Sequence, residues 1–248
     1  MRLFGLIGYP LFQSFSKKFF SEKFEREGLT DCRYESFSIP SISELTTILN
    51  ENPALCGLNV TIPYKEQVLS FLHEKSALVK KINACNCIKI EKGKLTGHNT
   101  DAPAFEQSLK EKLQPHHTKA LVLGTGGAAK AVEFTLRKLG IAYKYVSRKP
   151  SANNFSYEQL TDALMHHYMV IINTTPLGMH PNVVEAPPIP YHALTSKHYL
   201  FDLVYNPAKT LFLQKGEEQG AIIKNGYEML VLQAEESWRI WNDQQRAT

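Results

Sequence analysis

No run of apolar residues in this chain approaches the roughly 20 that a membrane-crossing helix needs. The opening MRLFGLIGYP reaches a glycine and a proline too early to form the apolar core of a signal peptide. Both absences point to a cytoplasmic protein that neither crosses nor coats a membrane. Cysteine is scarce: Cys32, Cys56, Cys85 and Cys87 fit reduced thiols better than a disulfide framework. Cys85 and Cys87 are spaced C-x-C, without the second pair or the H-x-x-x-H partner that a zinc site requires. The nine histidines show no ligand spacing and read as surface or loop residues, so no metal is expected. A dense basic block is also missing. The net charge of +4 comes from scattered lysines and arginines, which argues against a nucleic-acid surface and leaves small anions as ligands. Internal repeats and low-complexity segments are absent too.

What the chain does have is 248 residues, 43% hydrophobic and 21% charged, enough to build one large or two small domains. Strand and helix patterns alternate from the start. RLFGLIGYP reads as a buried strand, SFSKKFFSEKFEREGL as an amphipathic helix ended by Gly28, YESFSIP as a strand, SISELTTILNEN as a helix and LCGLNVTIP as a strand. After Pro63, Lys65 opens an apolar-periodic run that reads as a helix, where a cation is the wrong sign for the helix start. IKIEKGKL reads as a hairpin turning at Lys92-Gly93, and GHNTDAPAFEQSLKEKL opens another helix.

The polar linker LQPHHTK marks a domain boundary, beyond which ALVLGTGGAAKAVEFTLRKLG gives a strand, a glycine-rich turn and a helix ended by Gly140. Further strands are expected at AYKYVSR, MVIINTTP, YLFDLVYNP and AIIKNG, helices at SYEQLTDALMHH and TLFLQKGEEQG, and a long amphipathic helix at EMLVLQAEESWRIWNDQQ.

Gly124, Gly126 and Ala129 form G-x-G-x-x-A directly after a strand and at the start of a helix, the context of a dinucleotide fingerprint. There, close backbone approach and a helix N-terminus receive a pyrophosphate. An NAD site places an acidic residue about 20 positions further on. Here stand Ser147, Arg148 and Lys149, cations suited to a 2′-phosphate, and NADP is favoured. In the N-terminal half, Ser14, Ser16, Asn59, Thr61, Lys65, Asn86, Asn99, Thr100 and Asp101 collect at strand ends, a set suited to a small polyhydroxy carboxylate. Each also has a structural reading: Ser14, Ser16 and Asp101 as helix caps, Asn86 as a turn residue, Lys65 as a solvated cation.

Taken in order, SFS at Ser14 to Ser16, GLNVTIPYK at Gly57 to Lys65, GHNTD at Gly97 to Asp101, GTGGAAKA at Gly124 to Ala131, INTTPLGM at Ile172 to Met179, DLVYNP at Asp202 to Pro207 and NGYEMLVLQA at Asn225 to Ala234 resemble the shikimate dehydrogenase family over nearly the whole chain. The resemblance implies an NADP-linked oxidoreductase interconverting 3-dehydroshikimate and shikimate, in the route to chorismate and the aromatic amino acids. It implies Lys65 and Asp101 as the catalytic pair, and Ser14, Ser16, Asn59, Thr61, Asn86, Tyr205 and Gln233 as substrate residues. For the cofactor it implies Gly124, Thr125, Gly126, Gly127 and Ala128 at the pyrophosphate, Ser147, Arg148 and Lys149 at the adenosine phosphate, and Thr174, Leu203, Gly226 and Met229 toward the nicotinamide.

The expected fold is α/β in two domains: a substrate domain of residues 1–101 plus 227–248, and a Rossmann domain of residues 102–226, with the active site in the cleft and the protein a monomer or homodimer. Departures from the family pattern are Asn83, Cys85 and Cys87 in INACNCI, Ala102 to Ala104 after Asp101, and Ser147 and Lys149 in the phosphate loop. An NAD-linked quinate/shikimate dehydrogenase and a non-catalytic dinucleotide-binding paralogue stand as alternatives. Retention of both Lys65 and Asp101 argues against the second.

Overall fold

The computed structural model describes residues 1–11, 15–148 and 154–243. The chain forms two compact units, Met1–Thr100 with the chain from Gln233 onward, and Asp101–Leu232.

The first unit holds strands β1 (Arg2–Gly8), β2 (Cys32–Ser38), β3 (Leu55–Val60), β4 (Glu74–Lys75), β5 (Cys87–Glu91) and β6 (Lys94–His98), with helices α1 (Phe15–Arg26), α2 (Leu45–Glu51) and α3 (Ala77–Ile82). Its sheet runs β2-β1-β3-β5-β6-β4. The β1 pairings with β2 and β3 are parallel, and those of β5 with β3 and β6 antiparallel. Lys92 and Gly93 both take positive φ, 51° and 77°, the left-handed pair that a two-residue hairpin turn demands. One side of the sheet is closed by aromatics. Phe20 stacks on Tyr34 with centroids 4.6 Å apart, and Phe4 stacks on Trp241 at 5.0 Å. Trp241 donates its indole N–H to the Ile88 carbonyl at 3.0 Å. It lies so close to Gly57 that a Cβ there would meet Nε1 at 2.4 Å. The buried Lys23 ammonium joins α1 to the C-terminal helix through Glu27 at 2.8 Å and Glu235 at 2.7 Å.

The run after Pro63 departs from its expected helix: residues 62–66 are a turn and only Gln67–Ser70 are helical, as a 3-10 segment. The physical reason is a competing acceptor use. The Lys65 carbonyl, which an α-helix would give to its own next turn, accepts the Cys85 N–H at 2.7 Å. The objection to a cation at a helix start therefore lapses.

The second unit holds β7 (Lys119–Leu123), β8 (Ala142–Val146), β9 (Asn154–Phe155), β10 (Val170–Asn173), β11 (Tyr199–Asp202) and β12 (Ile222–Lys224), with α4 (Asp101–Lys110), α5 (Gly127–Lys138), α6 (Asp162–Met165) and α7 (Leu211–Glu218). The last helix, α8 (Tyr227–Asn242), begins here and from Gln233 belongs to the first unit. The sheet runs β12-β11-β10-β7-β8-β9 and every pairing is parallel. Alternate residues of β7 enter opposite cores: Val122 packs with Phe105, Leu136 and Phe201, Leu121 and Leu123 with Ile171, Leu200 and Phe212. Burial on both faces explains why these strands read as unbroken apolar runs. Strand order reverses between β7 and β10, so the carboxyl ends at Leu123 and Asn173 flank the switch point where doubly wound sheets take ligands.

The helix expected at SYEQLTDALMHH is a 3-10 turn at Tyr157–Gln159 followed by the four-residue α6. Two histidines also depart from expectation, since His117 and His198 are buried rather than superficial. Each accepts a backbone N–H at Nδ1, from Gln114 at 2.9 Å and Thr195 at 3.0 Å. Their Nε2 atoms meet the carbonyls of Lys197 and Met165 at 3.0 and 3.1 Å. Such fully partnered neutral rings pack like any other core group.

Candidate active site

In the first unit a buried network of amides and hydroxyls runs from β2 to the C-terminal helix. Tyr34 donates to Asn59 Oδ1 at 2.9 Å and is also hydrogen-bonded to the Ser16 side chain. Burial raises the Tyr34 phenol well above its ordinary pKa, so it stays protonated and able to donate. Asn59 Nδ2 donates to Ser237 Oγ at 2.9 Å, and Ser237 donates to the Gln233 carbonyl at 2.8 Å. Asn86 Oδ1 accepts the Thr100 N–H at 2.7 Å, and its Nδ2 donates to Thr100 Oγ1 at 2.8 Å, with Gln233 Oε1 at 3.5 Å. Asn99 Nδ2 donates to the Ala84 carbonyl at 3.0 Å. Ser16, Asn59, Asn86 and Gln233 are thus brought into one cluster, all of them buried. Ser14 lies outside the described residues.

The Asn59 amide is occupied by neighbours: its oxygen takes the phenol, and its nitrogen serves Ser237 and the Asn86 carbonyl at 3.4 Å. It orients the cluster. Tyr34, Thr100 and Ser237 do the same, and the sequence reading did not name Tyr34 or Ser237. A signal existed for each, since Tyr34 alternates with Cys32 toward the buried side of β2, and Ser237 lies one helical turn after Gln233.

Thr61 follows β3, and its N–H donates to the Ile7 carbonyl at 2.9 Å. Lys65 is half-buried, and the segment carrying it is pinned on both sides. The buried Tyr64 phenol donates to the Ile39 carbonyl at 2.5 Å, and the Cys85 N–H holds the Lys65 carbonyl. A fixed backbone limits the positions the Lys65 ammonium can reach.

In the second unit Asp101 is buried as the first residue of α4, where a carboxylate meets the positive end of the helix dipole. Gly124 leaves β7 with φ of +102°, and a Cβ there would lie 2.8 Å from Thr174 Oγ1. Thr174 fixes that wall by donating both its N–H and its hydroxyl to the Leu123 carbonyl, at 3.0 and 2.7 Å. Gly126 caps α5 without a side-chain hydrogen bond, and the space its Cβ would fill is open for 4 Å. Gly127 and Ala128 begin that helix, and Thr125 is exposed beside them. An uncapped 12-residue helix behind an open glycine turn fits a pyrophosphate.

Ser147 follows β8, its N–H donating to the Phe155 carbonyl at 2.9 Å. Arg148 is exposed near Tyr157, whose phenol is raised by burial and partly pulled back by the guanidinium. Lys149 lies outside the described residues. Leu203 and Tyr205 are half-buried after β11, while Met229 is 7% exposed and packs in the core with Phe105 and Tyr199. At Gly226 a Cβ would sit 2.3 Å from the Leu203 carbonyl oxygen.

Residues 6–88 match the profile of the shikimate dehydrogenase substrate binding domain. A curated relative, shikimate dehydrogenase (NADP+) of Carboxydothermus hydrogenoformans, is 36% identical over 97% of this chain and 91% of its own. The chain belongs to the shikimate dehydrogenase family. Among solved structures, a chorismate mutase/shikimate 5-dehydrogenase fusion protein from Clostridium acetobutylicum matches with a TM-score of 0.86 and 35% identity, over 98% of this chain and 92% of that one. Shikimate 5-dehydrogenase from Thermus thermophilus, in complex with NADP(H) and shikimate, matches with a TM-score of 0.85 and 30% identity over 98% and 94%. Shikimate dehydrogenases thus share both the α/β architecture and nearly the full length with this chain. Among its described residues, no helix is long and apolar enough to cross a membrane, and no group of three or more His, Cys, Asp or Glu is placed to hold a metal.

Proposed function

We propose that this protein catalyses the reversible NADP-linked reduction of 3-dehydroshikimate to shikimate, acting in the cytoplasm as a monomer or homodimer. The observation that carries this reading is the near-full-length match to NADP-dependent shikimate dehydrogenases, in a chain whose motifs include Lys65, Asp101 and the glycine turn. When bound, NADPH supplies a hydride to the substrate carbonyl carbon. The Gly124 to Ala128 turn and the start of α5 hold its pyrophosphate, Ser147, Arg148 and Lys149 its adenosine phosphate, and Thr174, Leu203, Gly226 and Met229 line the remainder.

Ser14, Ser16, Thr61, Asn86, Tyr205 and Gln233 bind the substrate's carboxylate and hydroxyls, with Asn59 orienting that set. Negative charge develops on the carbonyl oxygen as reduction proceeds. The Lys65 ammonium stabilises it and gives the oxygen a proton, taking one back in the oxidative direction, with Asp101 as its acidic counterpart. The test is the absorbance of reduced nicotinamide with shikimate or quinate and with NADP or NAD. Turnover should be greatest with shikimate and NADP. Preference for quinate or NAD would reassign the substrate or cofactor, and no turnover in any combination would leave a dinucleotide-binding paralogue.

A further inference from the structure

Asp202 closes β11 with its side chain completely buried, and among the described residues no cation pairs with it. Three neutral donors hold it instead. Asn173 Nδ2 reaches Oδ1 at 2.9 Å, the Val204 N–H reaches Oδ1 at 3.0 Å, and Thr210 Oγ1 reaches Oδ2 at 2.5 Å. Desolvation without a counter-ion pushes the carboxyl up to about 6. Nothing in the packing requires a charge here, because the rest of β11 is Tyr199, Leu200 and Phe201, all fully buried.

The donors come from three places: the end of β10, the turn after β11 and the N-terminus of α7. Asn173 spends its other amide atom on the turn after β10, its Oδ1 accepting the Thr175 N–H at 3.0 Å and the Thr175 hydroxyl at 2.6 Å. Thr175 Oγ1 in turn accepts the Leu177 N–H at 3.3 Å. This turn includes Thr174 and Thr175, the wall facing the missing Cβ of Gly124. Val204 belongs to the turn after β11, whose Leu203 N–H donates to the Asn173 carbonyl at 3.0 Å. Thr210 caps α7, its hydroxyl also accepting the Leu213 N–H at 3.4 Å.

We propose that Asp202 is a positioning residue for the dinucleotide, fixing the turns after β10 and β11 at the spacing the bound cofactor needs. The inference rests on the functional reading above. An ionised carboxylate is the one side chain of this size that accepts from all three donors and contributes no donor of its own. Asparagine keeps the shape, yet it turns an N–H toward Thr210 or Asn173 and leaves one of them mispaired.

The experiment compares wild type, Asp202→Asn, Thr210→Ser and Thr175→Val. It measures NADP binding by calorimetry, the KM for shikimate, and Tm near neutral pH. Asp202→Asn should weaken NADP binding about 10-fold or more, the order seen when groups behind a binding site are disturbed. Its shikimate KM should stay within about twofold, and its Tm should be no lower than wild type. Thr210→Ser, which keeps the hydroxyl, should bind NADP normally. Thr175→Val breaks the same chain one link further out, and should show the same selective loss even if Asp202→Asn fails to fold. Unchanged NADP binding in Asp202→Asn and Thr175→Val would overturn the proposal. So would a parallel loss of NADP binding, shikimate KM and Tm, which marks a purely structural role. A wild-type chain that binds no NADP would overturn the functional reading and this inference together, whereas normal wild-type binding beside unchanged variants overturns the inference alone.

Discussion

The Tyr34 phenol donates a 2.9 Å hydrogen bond to Oδ1 of Asn59, and that bond sets which way the Asn59 amide faces. With the oxygen held by a donor, the nitrogen is left to serve Ser237 at 2.9 Å, and the chain continues to Gln233. Tyr34→Phe keeps the ring that stacks on Phe20 at 4.6 Å and removes only the hydroxyl. The KM for shikimate should rise about fivefold, the equivalent of one neutral hydrogen bond of about 1 kcal/mol, with the KM for NADP unchanged. A rise in both would place the defect in folding.

Lys65 tests the chemistry itself. Lys65→Ala and Lys65→Met should each lower kcat about 10²-fold or more and change the shikimate KM much less, since a proton-transfer contact strengthens toward the transition state. Steady-state kinetics decide it. Near-normal kcat with lost affinity would make Lys65 a binding residue and bring Asp101 forward as the proton-transfer group.

Arg148 tests the cofactor. It is exposed at the end of β8, where its fork can make two charge-assisted bonds to a 2′-phosphate that NAD lacks. Arg148→Ala should raise the KM for NADP roughly 10- to 150-fold, corresponding to about 1.5–3 kcal/mol, and leave that for NAD nearly unchanged. Equal effects on both cofactors would indicate packing against Tyr157 instead.

The second unit carries opposed pH dependences. Burial lowers the pKa of His117 and His198 from 6.5, so the neutral rings supply stability above that value which is lost as pH falls. Both Nδ1 atoms accept backbone N–H groups, and protonation breaks those bonds. Around them, among the described residues, lie His116, His198 and the Lys197 carbonyl for His117, and His166, the Thr195 hydroxyl and the Met165 carbonyl for His198. Asp202 runs the other way: raised from 3.8 to about 6, it favours folding below the lower value and loses that contribution as pH rises through the upper one. Among the described residues, Tyr191 is a titratable group that feels its charge. A shift of about two units corresponds to roughly 3 kcal/mol at neutral pH. Melting curves from pH 5 to 8, taken roughly one unit apart, should therefore show wild type losing stability in acid, and a His117→Gln, His198→Gln double variant losing less. Asp202→Asn should lose more than wild type, because its acid-side compensation is gone. A double variant as acid-sensitive as wild type would remove the two histidines from the account.

The parts of the fold legible in the sequence were those whose pattern is local. Lys92-Gly93 marks its hairpin through backbone preference, and the glycine turn before α5 follows a strand of five residues with four fully buried. Strands β4 and β9 have two residues each, shorter than one period of any hydrophobic pattern. The run after Pro63 shows helical periodicity, yet a long-range partner, Cys85, takes the carbonyl that a helix would use. Burial of His117 and His198 depends on carbonyls 80 and 33 residues away. The candidate site divides in the same way. Family motifs point to Lys65, Asp101 and the glycines, and DLVYNP contains Asp202, but the partners that give Tyr34, Ser237 and Asp202 their roles include Asn59 and Asn173, which lie 25 to 178 residues away.

Because α8 changes unit at Gln233, the order of synthesis and the order of completion are inverted. The strands and α1 of the first unit leave the ribosome before any of the second, but the indoles that seal their aromatic core, Trp238 and Trp241, follow the whole of it. Gly57 and Phe4 emerge beside a gap the size of a tryptophan. Asp101–Leu232, by contrast, is one uninterrupted stretch and can close during translation. The nascent first half therefore lacks the indoles that cover Phe4, Phe20 and Phe24 until the entire second unit has been made.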